Sequence, residues 1–347
     1  MKNEAFFYWK FVYLLLFAFI AVNTYFYIAG EDLVYVWDYK GYWVTWQEYG
    51  GLITNNFFHW LQANEHNIRS NDYNPLPVSL LFPFYLILGA GRFSYILGLV
   101  LVYLSAVCII ISLFFKRLYS NNFQITLLAL ILSVMYVPFW RPSLRGYPDI
   151  AGLIPMLGAI LLVMRGSFSL RLSVKKSLFL GLMLWAPFLL RRWYAYSIVT
   201  LYFTLPFLVY FYDAVTSSEL LPSRLKRLKN IFLTFCFASL TTAVAAYAFQ
   251  SALIRRILKT DYGTIYSAYQ ASFSYSIEST LSDVGYGFLP FAAIGILFSI
   301  RSPAKKTSLI CWFSLVNLLI CFWLFTRTQA PGIQHQLPLH YGYLLSP

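Results

Sequence analysis

The chain has 347 residues, of which 59% are hydrophobic and only 11% are charged. Soluble domains carry about 25% charged residues, so this composition excludes a soluble globular protein and indicates an integral membrane protein. The net charge of +13 is typical of cytoplasmic Lys and Arg in a protein with several spans. We therefore expect membrane lipids, and no nucleic acid, as partners.

Nine apolar stretches approach the roughly 20 residues that a helix needs to cross a bilayer. They predict one all-α domain over residues 1–347, a bundle of about nine to ten transmembrane helices. An apolar stretch that begins at Tyr341 stops with the chain, which is typical of a truncated span. The nine predicted spans are Phe11–Ala29, Phe93–Phe115, Phe123–Phe139, Ile150–Met164, Ser177–Leu190, Ala195–Tyr212, Ile231–Gln250, Val284–Ile300 and Ser308–Phe325.

The segment Leu76–Gly89 is apolar but too short to cross. Its 14 residues reach roughly 21 Å, against a hydrocarbon core of about 30 Å, so it predicts a re-entrant or interfacial helix. If it does not cross, the inside sections hold 15 of the 26 basic residues and 3 of the 13 acids, and the outside keeps a net charge of only +1. This agrees with the positive-inside rule. The outer sections are then 30–92, 140–149, 191–194, 251–283 and 326–340.

An acidic and aromatic stretch follows the first span on the outer face. Desolvation at a membrane surface raises the pKa of a carboxylate toward the range of a general base. Aromatic rings nearby can bind a sugar, because the apolar face of a sugar packs on a ring. The alternative is a solvated interfacial loop. The candidate bases are Glu31, Asp32 and Asp38, and the candidate sugar-binding rings are Trp37, Tyr42 and Trp43.

Arginines gather at the outer ends of the predicted spans, although translocation of positive charge is disfavoured. The guanidinium fork matches phosphate oxygens, so the group predicts a lipid phosphate or pyrophosphate ligand, with contact to lipid headgroups as the alternative. Asp149 opens the fourth span beside Arg145 and is either a site residue or an ion-pair partner, whereas Asp72 reads as a turn residue. The predicted substrate-binding cations are Arg141, Arg145, Arg191, Arg192, Arg255, Arg256 and Arg327.

The sequence gives only weak indications of a metal site or of a nucleotide-binding site. The four cysteines lie in apolar runs, which favours buried side chains. His59 and His66 are seven residues apart, which is not the spacing of zinc ligands. A divalent cation held by carboxylates stays open. No phosphate-binding glycine loop and no serine elbow is present in the sequence, so an enzyme here would use a lipid-linked donor.

The layout resembles the GT-C superfamily of polytopic glycosyltransferases, which includes protein O-mannosyltransferases and aminoarabinose transferases. The acidic motif falls on Glu31-Asp32-Leu33-Val34-Tyr35 or on Asp38-Tyr39-Lys40-Gly41-Tyr42. A proline-rich helix entry follows at Asn74-Pro75-Leu76-Pro77, Lys116-Arg117 ends the next span, and Arg141 to Asp149 forms the next outer turn.

The chain departs from the superfamily at two of these motifs. The proline motif lacks the usual His or Lys, and the first acidic pair is Glu-Asp instead of Asp-Glu. Asp38 is the favoured base, because a Tyr lies four residues on and because it is nearer the proline motif.

The resemblance implies an inverting transferase that moves a sugar from a polyprenyl-phosphate donor to a hydroxyl group. The acceptor would be a cell-envelope glycan such as lipopolysaccharide, a lipid or a protein. The location would be the bacterial inner membrane, with the site facing the periplasm or exterior. Three alternatives remain open: a transporter or flippase of lipid-linked saccharide, an O-antigen-type polymerase, and a non-catalytic scaffold.

Overall fold

Every regular element that the structure describes is helical, which confirms the all-α prediction. The structure is a computed structural model. Side chains are not described at 2–7, 37, 213–216 and 221–224. The described residues are 2–31, 37–119, 122–164, 173–216, 221–330, 332 and 334–339.

The predicted first outer section folds into four helices. One of them starts where the Asn56 side chain accepts hydrogen bonds from the backbone N–H groups of Phe58 and His59, which satisfies otherwise orphaned donors. The prediction of one helix over Leu76–Gly89 is wrong: the segment forms two short helices, because Pro83 has no N–H to continue the first one. The N-terminal helices are α1 (Lys2–Ala29), α2 (Trp37–Asn55), α3 (Phe57–Ser70), α4 (Leu76–Ser79) and α5 (Phe82–Leu88).

The next two apolar stretches are both interrupted helices. A π-helical turn at Val100–Leu104 joins the two halves of Arg92–Leu118. The predicted span Phe123–Phe139 is bent, because extended backbone at Tyr136 and Pro138 at the start of the next helix produce a 43° bend. These helices are α6 (Arg92–Leu99), α7 (Ser105–Leu118), α8 (Phe123–Met135) and α9 (Val137–Arg145).

The second half of the chain starts with a 3₁₀ turn at Pro148–Gly152 and has another at Arg192–Tyr194. The longest helix continues to Lys259, with non-helical backbone only at Gln250, so the predicted outer loop 251–283 is largely helical. These helices are α10 (Leu153–Val163), α11 (Val174–Leu190), α12 (Ala195–Thr216), α13 (Leu221–Lys259), α14 (Tyr262–Ile265), α15 (Phe273–Val284), α16 (Leu289–Ile300) and α17 (Lys305–Thr326).

The predicted span Val284–Ile300 is wrong at its start. Val284 is the last residue of α15, and α16 begins only at Leu289 after a 97° bend. Gly285 has φ +93°, a left-handed backbone that glycine adopts without steric cost. Glycine and the following Pro290 explain why the hydrophobic run does not continue as one helix.

By length and composition, five helices among the described residues can cross a membrane, or up to seven if each bent pair is one span. Helices α4, α5 and α10 are apolar but shorter. The regular structure of the described residues is therefore all-helical, with several candidate membrane spans, and the count of nine stays a prediction.

Close packing of α11 on α13 brings two of the predicted outer sections together. A Cβ at Gly181 would lie 2.4 Å from the carbonyl oxygen of Ala238, so only glycine permits this approach. The Thr242 hydroxyl donates a 2.7 Å hydrogen bond to the Gly181 carbonyl across the same contact. Since α13 also packs on α3, the turn after α11 lies between the first outer section and the segment after α13.

Candidate functional site

The turn between α11 and α12 carries two buried arginines. Helix α11 ends at Leu190, and Arg191 has extended backbone with φ −151°. This change of direction separates the two adjacent side chains, and each reaches a different carboxylate. Arg191 and Arg192 are only 4% and 8% exposed, so both charges require partners.

Arg191 forms a buried ion pair with Asp149. Its Nε lies 2.9 Å from Asp149 Oδ1, and its Nη1 donates to the Tyr42 hydroxyl. Asp149 Oδ2 is buried and has no hydrogen-bond partner among the described residues. Arg191, Asp149 and Tyr42 were all predicted to bind substrate, and they contact one another here. Their burial favours a role in positioning the site, and Asp149 Oδ2 remains available as a hydrogen-bond acceptor.

The hydroxyl and the ring of Tyr194 both contact the 3₁₀ turn that carries Asp149. The Tyr194 hydroxyl donates a 2.8 Å hydrogen bond to the Asp149 carbonyl. A Cβ at Gly152 would lie 2.4 Å from the Tyr194 ring, so this position requires glycine for the close approach. The carboxylate is thus positioned by the rigid packing of two turns that are far apart in the sequence.

Arg192 lies in a cage of tyrosines and pairs with Asp72. Its Nη1 is 2.5 Å from Asp72 Oδ2, and it donates to the hydroxyls of Tyr262 and Tyr266. The guanidinium carbon lies 5.3 Å from the centre of the Tyr73 ring, within cation–π range. Arg192 Nε is buried and has no hydrogen-bond partner among the described residues, so this donor can serve a ligand.

Asp38 is an exposed carboxylate in the first turn of α2. Its charge helps to raise the pKa of Tyr42 and of Tyr73, whose rings lie against the Arg191 guanidinium. Asp38 makes no hydrogen bond or ion pair with the rest of the described chain. Burial, followed by the charges of Asp38 and Asp149, raises the pKa of Tyr147 to about 12, so this phenol stays neutral.

Glu31 is held in an ion pair. Both of its carboxylate oxygens accept 2.8 Å hydrogen bonds from Arg92, and both side chains are largely buried. The Arg92 guanidinium also lies 5.7 Å from the ring of Trp43. This geometry favours a structural role for Glu31 over the predicted role as a base. Asp32 and the side chain of Trp37 lie outside the described residues.

The remaining predicted arginines are more exposed. Arg141 Nη1 lies 2.9 Å from Asp283 Oδ1. Arg256 approaches Asp72 only to 3.7 Å, longer than a hydrogen bond. Arg327 lies over the ring of Trp323. Arg145 and Arg255 are exposed and make no ion pair with another described side chain.

Asp72 is the main site residue that the sequence interpretation missed. It was predicted to be a turn residue, but its carboxylate meets Arg192, Arg256 and the hydroxyl of Tyr262. The turn before α4 is stabilised instead by Asn74, whose side-chain oxygen accepts a hydrogen bond from the Leu76 backbone N–H. The signal that could have found Asp72 was the charge of its own predicted outer section, 30–92, which holds six acids but only three basic residues, so acids remain there to pair with arginines of other sections.

His335 is a second missed residue. Its side chain is partly buried. The ring centre lies 4.5 Å from that of Trp193, and Nδ1 lies 3.0 Å from Gln329 Nε2. Burial, together with the charges of Arg191 and Arg192, lowers the pKa of His335 to about 3. The imidazole is therefore neutral at working pH and packs the C-terminal segment against the arginine turn.

This lowered pKa predicts a loss of stability in acid. An unfolded histidine takes up its proton near pH 6.5, whereas the folded His335 does so only near pH 3. Stability should therefore fall as the pH drops through this window, by up to about 1.4 kcal/mol per pH unit. Thermal unfolding in detergent across this range measures the slope.

The slope should become shallower in His335→Gln, because the titrating group is removed. His66→Gln is the matched control, since that side chain is exposed and its loss leaves the His335 contribution in place. An unchanged slope in His335→Gln would show that another group controls acid stability.

Metal ligands do not gather at this site. Among the described residues, no three His, Cys, Asp or Glu side chains lie together in a way that could hold a metal ion. Asp38, Asp72 and Asp149 instead face arginines or solvent. No step is therefore assigned to a divalent cation.

Comparisons with protein-family models, with curated proteins and with solved structures find no match to this chain. The site is therefore interpreted from its own geometry. The site combines an exposed carboxylate, several guanidinium groups and the tyrosine rings that lie against Arg191 and Arg192. This set of groups can accept a proton, bind phosphate oxygens and contact the apolar face of a sugar.

Proposed function

We propose that the protein is an inverting glycosyltransferase of the membrane, with a polyprenyl-phosphate sugar as donor. The acceptor is a hydroxyl group of a cell-envelope glycan, lipid or protein. The site faces the periplasm or exterior of a bacterial inner membrane. The observation that carries this proposal is the exposed Asp38 carboxylate, whose charge acts on Tyr42 and Tyr73, together with the contacts of these tyrosines to Arg191 and Arg192.

In the proposed reaction, the Asp38 carboxylate and the guanidinium groups of the site have separate roles. Asp38 accepts the proton of the acceptor hydroxyl while the acceptor oxygen forms a bond to the anomeric carbon. The bond between that carbon and the phosphate oxygen breaks, and polyprenyl phosphate leaves with the electron pair. Since attack and departure occur on opposite faces, the anomeric configuration inverts. The proton then passes from Asp38 to solvent.

Guanidinium groups stabilise the leaving phosphate. Negative charge grows on the phosphate as it departs, and preorganised donors in a partly dehydrated site stabilise such charge strongly. Arg192 has a buried Nε with no partner among the described residues, and Arg256 is half exposed and only loosely paired with Asp72. These two donors are the proposed phosphate ligands, whereas Arg191 positions Tyr42 and Asp149.

A binding experiment tests the phosphate part of the proposal. A short-chain polyprenyl phosphate should stabilise the purified protein in detergent, and the uncharged polyprenol of the same chain length should not. Arg256→Gln should weaken phosphate binding by about tenfold, the effect of losing one charged hydrogen bond. Lys259→Gln is the matched control, because this exposed cation makes no hydrogen bond or ion pair with another described side chain. Equal stabilisation by the phosphate and the alcohol would contradict the proposed ligand class.

A further inference from the structure

An apolar cavity of about 840 Å³ lies between α7, α8 and the bent pair α15–α16. Its lining contains no charged residue and none of the candidate site residues. The floor is deeply buried, as at Ile111 and Ser133, whereas Leu132 and Phe291 on its rim are exposed. The cavity therefore opens sideways, toward the surface that these apolar helices present to a bilayer.

The size of the cavity suits one hydrocarbon chain. Its wall on α8 runs from Ile125 to Tyr136, which spans about 16 Å at 1.5 Å per residue. This is about half of the roughly 30 Å hydrocarbon core, the depth of one leaflet. Ala292 and Gly295 lie one turn apart on α16, and their small side chains leave the space open.

A cation lies beside one end of the cavity. Val284 lines the cavity, and the preceding residue, Asp283, pairs with the half-exposed Arg141. An arginine that keeps exposed donors at the edge of an apolar cavity can bind a phosphate group. The combination of an apolar cavity and an adjacent guanidinium matches an anionic phospholipid, with its chain inside and its phosphate at Arg141.

We propose that this cavity binds one acyl chain of an anionic phospholipid from the surrounding bilayer. The lipid is a resident ligand and not the reacting donor, because the cavity shares no residue with the Asp38 and Arg192 site. Within a bilayer, burial of the chain gives no hydrophobic gain, so binding depends on packing and on the headgroup. The chain restores contacts that an empty cavity would forfeit.

Photo-crosslinking in vesicles tests this proposal. The vesicles contain phosphatidylcholine and a small fraction of phosphatidylglycerol with a diazirine in its acyl chain, and mass spectrometry locates the cross-links. We expect cross-links on buried lining residues such as Ile111 and Ala129. Ala292→Trp should abolish them because its ring fills the cavity, whereas Ala293→Trp should retain them because Ala293 is exposed on the same helix.

Gly295→Leu gives a second way to fill the cavity if Ala292→Trp does not fold. Equal cross-linking in the filled and control variants, or cross-links on the exposed rim alone, would overturn the proposal. The headgroup is tested with a phosphatidylcholine probe of the same chain. It should label less than phosphatidylglycerol, and Arg141→Gln should reduce this preference by up to about fivefold, unlike Lys259→Gln. Equal labelling by both probes would overturn the anionic assignment.

Discussion

Asp38→Asn is expected to lower sugar transfer by about 10²–10⁴-fold, the usual contribution of a general base. The amide has nearly the shape of the carboxylate but cannot accept the proton. Stability should stay close to that of the wild type, because Asp38 is exposed and has no ion pair or hydrogen bond to the described residues. Turnover of labelled donor in proteoliposomes and thermal unfolding measure the two effects separately.

Two further variants sharpen this test. Asp38→Glu keeps the carboxylate but displaces it by one methylene, so part of the activity should return. Glu48→Gln removes another exposed acid from α2 and should transfer sugar at the wild-type rate. If Asp38→Asn also transfers at that rate, the base is misassigned, and Asp32 becomes the next carboxylate to replace.

Arg191→Met is expected to destabilise the protein by about 3–5 kcal/mol, the cost of breaking a buried ion pair. Arg191 and Asp149 are both almost fully buried, so Asp149 would be left without its counter-charge. The Tyr42 hydroxyl would lose its donor as well. Chemical unfolding in detergent measures the loss.

A double variant distinguishes the effect of breaking the ion pair from the effect of lost side-chain packing. Arg191→Met with Asp149→Leu removes both charges and should recover most of the lost stability, because replacing a whole buried pair by apolar residues is often neutral. Arg141→Met is the matched control, since the Arg141–Asp283 pair is half exposed on the arginine side and should contribute no more than about 1 kcal/mol. If the double variant is as unstable as Arg191→Met alone, the unpaired Asp149 is not the cause.

Much of the helical architecture follows from composition, whereas the interruptions do not follow from hydropathy. The span predicted over Val284–Ile300 ran through Gly285 and Pro290, although both residues are strong local signals for a break. Average hydrophobicity hides such signals, because apolar residues continue on both sides. The bend matters, since it leaves the cavity beside α8.

The pairing of charges depends on packing between distant segments. The sequence placed Asp149 and Arg191 on the outer face, but it could not show that they meet, because the contact requires α11 to end beside the 3₁₀ turn before α10. The same limit applies to Asp72 and Arg192. Their pairing depends on how closely α13 packs on α3 and α11, which is a property of shape and not of local pattern.

The central claim is that this protein breaks the bond between sugar and lipid phosphate at its outer face. The most direct test follows a doubly labelled polyprenyl-phosphate sugar in sealed proteoliposomes that contain candidate acceptors. We expect sugar on the acceptor with inverted anomeric configuration, together with an equal amount of free polyprenyl phosphate. Movement of the intact donor to the other leaflet, with both labels still joined, would contradict it and indicate a transporter.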